Sequence, residues 1–249
     1  MRNLKDYIKN YSSQPFEDIQ AAYRQKKVLE LIKKQRHRYI LEVGCGLDPF
    51  YNYFNDFEQL VIVEPASGFY EKAASVVIKN EELISRVIII NDYLENAIDR
   101  LHIYEFDYII ISSLLHEIEN IEVFFEKLKV IVKKDTIVHI DVPNARSFHR
   151  VLAFEMGLID SLFEISASNV ALQQQIVYDL DSISKLIVRY GFKLVNSGTY
   201  FIKPFTHKQM AGLLEHKIID HKVLEGLFRM SEQIPDLGSE LFVEFKTND

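Results

Sequence analysis

The stretch ILEVGCGLD, residues 40–48, sets two glycines directly after an apolar run, with an acid, Glu42, two positions before the first of them. A short apolar run closed by glycine reads as a buried strand, here YILEV over 39–43, ending in a tight turn. Glycine at a strand end lets a ligand approach the backbone, because no Cβ blocks it. Which ligand, and what Glu42 contributes, depends on what the chain builds around this turn.

Further strands read outward from it: LVIVE (60–64), RVIIIND (86–92), FDYIIIS (106–112) and TIVHIDV (136–142). Between them PASGFYEKAASVV (65–77) and IEVFFEKLKVIV (121–132) carry helical spacing, as does EDIQAAYRQKKVLELIKKQ (17–35) before the first strand. Strands alternating with helices imply right-handed crossovers and a parallel sheet covered on both faces. After residue 143 the rhythm changes. ARSFHRVLAFEMGLIDSLF (145–163) reads as helix with no strand before the next one, DLDSISKLIVRYG (179–191), which stops at a glycine. FKLVNSGTYFI (192–202) and ELFVEFK (240–246) read as the last strands. Residues 145–177 and 205–234 are expected to be insertions that form a helical cap over the carboxyl ends of the strands, where open α/β sheets bind ligands. Residues 1–36 are expected to form a helical segment that closes over the ligand, and 37–249 the main domain.

The 249 residues are 48% hydrophobic and 26% charged, which suits one large core. A net charge of −7 weighs against nucleic acid as a partner, since phosphate binding needs a basic face. The lone cysteine, Cys45, excludes an intramolecular disulfide and fits a reducing cytoplasm. The polar start MRNLKDYIKNYSSQPFEDI lacks the apolar core of a signal peptide, and no run has the length of a membrane span.

A dinucleotide fingerprint needs a third glycine, and that position is Pro49. Glu42 and Asp48 also put two acids beside the turn, which disfavours a diphosphate and suits an amine-bearing or cationic ligand. S-adenosylmethionine carries a sulfonium and an α-ammonium and no phosphate. Glu64 ends the second strand, where a carboxylate can accept from both ribose hydroxyls. Asp92 ends the third strand and can accept from an adenine amino group or cap the next helix; Tyr93 would pack nearby.

ILEVGCG, IVEP, NDYLENA, FDYIIISSLLHEIEN and VHIDVPN, in order over roughly residues 36–145, resemble the motifs of class I S-adenosylmethionine-dependent methyltransferases. Looser similarity in VPNARSFHRVLAFEMG, VYDLDSI and GTYFIKPFTHKQM points to a bacterial branch acting on small molecules, often sugars or other metabolites. The resemblance implies an α/β, Rossmann-like sheet of seven strands with the last antiparallel. It implies S-adenosylmethionine as cofactor, bound by Glu42, Gly44, Gly46, Glu64 and Asp92. Asp48 departs from the usual pattern of a third glycine or small residue, which leaves the loop shape open.

His116, after the fourth strand, lies where that architecture places the methyl group, and is a candidate general base or a pocket wall. Arg24, beside Tyr23 on the first long helix, either pairs with the methionine carboxylate or belongs to a solvated face. His149, with Arg150, and Tyr178, Lys203 and His207 are candidates for the acceptor pocket. His139, inside a strand, reads as a hydrogen-bonded core residue, and Cys45 as a small filler. The histidines show no metal-ligand spacing, so no metal is expected. ISSLL stands where amino-methylating DNA enzymes carry D-P-P-Y or N-P-P-Y. The reading is methyl transfer to an oxygen or nitrogen of a small polar metabolite or glycan-type acceptor. The alternatives are a non-catalytic protein binding the cofactor or a partner on the same fold, and, less favoured, an NAD-dependent oxidoreductase.

Overall fold

The computed structural model describes residues 3–248. Helices α1 (Leu4–Ser12) and α2 (Glu17–Ile32) precede β1 (Tyr39–Val43) and β2 (Gln59–Val63). Then come α3 (Ser67–Ile78), α4 (Glu81–Ile84), β3 (Val87–Ile90), α5 (Leu94–Leu101), β4 (Tyr108–Ser112), α6 (Ile121–Ile131) and β5 (Ile137–Pro143). The last third holds α7 (Phe148–Glu155), α8 (Ala167–Ala171), α9 (Leu180–Arg189), β6 (Phe192–Tyr200), α10 (His207–Glu215), α11 (His221–Met230) and β7 (Glu240–Thr247).

The seven strands form one sheet in the order β3-β2-β1-β4-β5-β7-β6, with β7 antiparallel to both neighbours. Strand order reverses between β1 and β4, so the crevice at their carboxyl ends is the topological switch point. Each strand contributes alternate residues to two cores, as a period of two requires. Leu41, Val43, Val61, Val63, Ile109 and Ile111 pack with α5, α6 and α9 on one face. Ile40, Leu60, Ile62, Tyr108 and Ile110 pack with Val28 and Ile32 of α2 and Ala73 and Val77 of α3 on the other. A third cluster joins Leu31 of α2 to Met210 of α10 and Leu224 and Phe228 of α11.

The helix expected over 145–163 is shorter. It ends at Glu155, because Gly157 takes a left-handed φ of +68° and receives the closing turn, with Leu158 N donating to Ala153 O at 2.9 Å. The chain then folds back, and the Arg150 guanidinium pins it by donating to the carbonyls of Leu162 and Glu164 at 2.7–3.0 Å. Among the described residues no helix is long and apolar enough to cross a membrane.

Candidate functional site

Three adjoining cavities, of about 300, 250 and 430 Å³, open at the carboxyl ends of the strands. The first lies over the glycine turn. Gly44 and Gly46 adopt φ of +78° and +55°, which L side chains rarely do, and a Cβ on Gly44 would meet Leu114 at 3.4 Å. Gly44 N donates to Val63 O at 2.8 Å, locking the turn to β2. The Phe50 N–H donates to both oxygens of Glu42 at 3.1 Å, at the start of a short 3-10 turn, Phe50–Asn52. Asp48, whose side chain accepts from Asn52 and Tyr53, shapes this turn. Burial pushes the Glu42 carboxyl up to about 8, with the charges of Glu64 and Asp48 adding to the shift.

Glu64 accepts from Gly46 N at 3.0 Å and Ala66 N at 2.8 Å, joining the loops after β1 and β2. Six acidic side chains line this first cavity, Glu17, Asp18, Glu42, Asp48, Glu64 and Glu117, against two cations, Arg24 and Lys72. Lys72 donates to Leu47 O at 3.1 Å, and Arg24 is held by carboxylates. This donor set fits a cationic ligand and repels a diphosphate.

The second cavity continues past Gly44 and Pro65 to Tyr93, Leu94 and Asn120. Asp92 is turned to its own helix: its side chain accepts from Tyr93 N and Asn96 Nδ2 at 2.9 Å and pairs with Arg100 at 2.9 Å. It lines none of the three cavities.

Arg24 is buried, which overturns the solvated-face alternative. It bridges Glu17 and, at 3.3 Å, Glu240, with Tyr11 Oη also at 3.3 Å. It lines both the first and the third cavity.

His116 is buried in the 3-10 turn Leu115–Glu117 and, among the described residues, lines none of the cavities. Its backbone carbonyl accepts from Gln175 N at 2.8 Å, which ties the turn to the segment after α8. The next residue, Glu117, lines all three cavities. Sequence reading passed over it; the only signal was an acid beside the histidine in LLHEIEN. Asp141, also passed over, positions this loop: its Oδ1 accepts from Ser112 Oγ at 3.0 Å and Ser113 N at 3.1 Å. Its Oδ2 meets His139 Nε2 at 3.0 Å, so His139 is the bonded core residue expected.

The third cavity shares Tyr11, Glu17, Arg24, Ser113 and Glu117 with the first. His149, Arg150, Lys203 and His207 line it. Tyr178 does not: it is packed in the sheet core, with its carbonyl accepting from Ala145 N at 2.7 Å, and its neighbour Val177 faces the cavity. Residues 145–177 supply much of the wall. Of 205–234 only Thr206, His207 and Lys208 do, because α10 and α11 pack on α2 instead. On the other side α1 contributes Leu4, Tyr7 and Tyr11 to the first cavity and is bound to the α8 region through Asn10 Nδ2 and Ala171 O, 2.9 Å. Burial raises the Cys45 thiol, which disfavours the thiolate that a nucleophile needs. Among the described residues no cluster of three or more acidic, histidine or cysteine side chains is placed to hold a metal.

A family model described as "Methyltransferase domain" matches residues 16–197. No curated protein matches the chain. Among solved structures, the 1,6-didemethyltoxoflavin-N1-methyltransferase of Burkholderia thailandensis is similar at 12% identity and TM-score 0.60, over 99% of this chain and 87% of that one. N-methyltransferase NodS of Bradyrhizobium japonicum WM9 follows at 10% identity and TM-score 0.53, over 95% and 90%. A possible histamine N-methyltransferase of Thermotoga maritima shows 14% identity and TM-score 0.56, over 91% and 89%. These likenesses establish a shared fold, and the family match covers most of the chain. The chain therefore belongs to the class I S-adenosylmethionine-dependent methyltransferases.

Proposed function

We propose that this member of the methyltransferase family transfers a methyl group to an oxygen or nitrogen of a small polar acceptor held in the third cavity. The observation that carries the reading is the junction. Tyr11, Glu17, Arg24, Ser113 and Glu117 line both the cofactor cleft and the larger cavity beside it. An acceptor there meets the cofactor without leaving the protein, so alignment and exclusion of water supply much of the catalysis.

S-adenosylmethionine, when bound, supplies a methyl on an activated sulfonium. Glu42 would hold its α-ammonium and Glu64 its ribose hydroxyls, and Tyr93 would pack beside its adenine. Asp92 reaches the adenine only by giving up its bonds to Asn96 and Arg100. Arg24 orients the acidic residues at the junction, and the methionine carboxylate would compete with Glu17 and Glu240 for it. In this reading the proton is taken from the acceptor by Glu117, because it lines the third cavity and His116, the base expected from the sequence, does not; His116 supports the turn behind it. All three named neighbours are N-methyltransferases by name, one of them as a possible one, which agrees with the nitrogen acceptor in this reading. The lone buried cysteine suits the cytoplasmic location proposed.

The test incubates the purified chain with methyl-labelled S-adenosylmethionine and fractionated pools of small polar metabolites. Label should move to a small molecule, S-adenosylhomocysteine should inhibit, and Glu117→Ala should lose more turnover than His116→Ala. A chain that binds NAD and not S-adenosylhomocysteine would sink the reading. Tight S-adenosylhomocysteine binding with no transfer to any pool would favour the non-catalytic alternative.

A further inference from the structure

Lys203 is a buried cation facing the third cavity, and no carboxylate or carbonyl of the described residues lies within hydrogen-bond or ion-pair distance of it. The acids that act on it electrostatically, Glu240 and Glu17, are shared with other donors, with Glu240 Oε2 left without a hydrogen-bond partner. Glu240 takes Gln20 Nε2 at 2.8 Å and Arg24 at 3.3 Å, and Glu17 takes Arg24. A buried charge is costly unless a partner pairs with it.

The backbone spends effort to place this residue. β6 ends at Tyr200, and Phe201 adopts a left-handed φ of +59°, an outlier for a bulky side chain. The kink is held on both sides. Ser239 N donates to Phe201 O at 2.8 Å, and the Phe201 ring stacks on Tyr23 at 4.3 Å. The strand thereby turns and delivers Lys203 to the cavity wall.

Two imidazoles share that wall, His149 and His207. Each has a ring nitrogen shielded from solvent without a partner, His149 Nδ1 and His207 Nε2. Burial first, and then the charge of Lys203, hold His149 well below the usual imidazole range and His207 at about 3, so both are neutral and each carries one N–H donor. Burial also lowers the Lys203 ammonium, which an anion would reverse. The opposite end of the same cavity is the junction with Glu117.

We propose that Lys203, His149 and His207 form an oxyanion subsite, so that the methyl acceptor is a small molecule carrying a carboxylate or phosphate that anchors there and points its nucleophile to the junction. The proposal rests on the methyltransferase reading for the word acceptor, and on the cavity alone for the anion. Two aromatic probes of similar size and opposite charge, benzoate and benzylamine, and inorganic phosphate are titrated into the chain, first alone and then saturated with S-adenosylhomocysteine. Benzoate or phosphate should bind, with benzoate against phosphate separating the two anchor types, and benzylamine should not compete. Lys203→Met should weaken that binding at least tenfold and Lys203→Arg restore most of it, while affinity for S-adenosylhomocysteine stays unchanged in both. The side-chain nitrogen resonances of His149 and His207 should shift along the same curve in the unsubstituted chain, which keeps the test open if Lys203→Met fails to fold. Absence of oxyanion binding, equal binding by Lys203→Met, unmoved histidine resonances or preference for benzylamine would each overturn the subsite. Failure of S-adenosylhomocysteine to bind would instead remove the methyltransferase reading and leave the anion result standing.

Discussion

Tyr7 Oη donates to Glu117 Oε1 at 3.2 Å, joining the first helix of the chain to the turn after β4 across 110 residues. Helix α1 buries no residue fully, so it is held by this bond, by the reciprocal pair of Asn3 and Gln173 at 2.9 Å, and by ring contacts of Tyr7 and Tyr11 with Phe69. Few apolar contacts and exposed hydrogen bonds mark an element of low local stability. Amide exchange over residues 4–12 should slow when S-adenosylhomocysteine binds. Tyr7→Phe should weaken that binding by about 0.5–1.5 kcal/mol, the net worth of one hydrogen bond. Identical exchange with and without ligand would refute a closing role for the N-terminal segment.

Glu42 predicts a proton count. Its folded pKa of about 8 lies above the ordinary 4.5, so the stability it contributes is present below 4.5 and lost as pH rises through 8. At pH 7 the carboxyl of the ligand-free chain is therefore mostly protonated. An ammonium beside it favours ionisation, so binding of S-adenosylhomocysteine should release approximately one proton. Calorimetry in buffers of different ionisation enthalpy measures this release. Glu42→Gln should abolish it; release that persists in the variant would assign the proton elsewhere.

Glu64→Ala should weaken S-adenosylhomocysteine by roughly 1.5–3 kcal/mol, the range for hydrogen bonds to a charged group. The change also frees Gly46 N and Ala66 N, so thermal stability should fall in the same variant. Unchanged affinity would remove the ribose assignment.

Arg24→Met should be among the most damaging single changes. It leaves Glu17 and Glu240 buried without their cation, a loss of about 3–5 kcal/mol for a broken buried pair. Urea unfolding of Arg24→Met against Arg24→Met/Glu240→Gln reads it; the double variant should recover part of the stability. A near-neutral single variant would mean that Arg24 contributes nothing to holding these acids.

His207 predicts acid sensitivity. The folded chain protonates it near pH 3, whereas an unfolded histidine takes its proton near 6.5. The stability it contributes is full above 6.5 and falls as pH drops toward 3, by at most about 1.4 kcal/mol per pH unit. Denaturant melts between these limits should show a shallower slope for His207→Gln. An unchanged slope would place the acid transition on other groups, His149 first.

What the sequence determined by itself is the cofactor half. Strands such as LVIVE must be buried on both faces, and that alone demands a helix-covered parallel sheet. A glycine pair closing β1 and acids closing β1 and β2 then place Glu42 and Glu64 at one edge, because parallel strands in register end together. The tertiary structure decided which neighbour of a pair faces the cavities. Glu117 is turned in and His116 out, Val177 lines a wall and Tyr178 the core, and Arg150 is consumed by the fold of its own loop. Such one-residue choices depend on the rotation of short turns, which is set by anchors remote in sequence such as Asp141 on Ser113. The same holds for Arg24, whose partner Glu240 lies 216 residues away. Local pattern carries the period of an element; only packing against distant elements sets its phase.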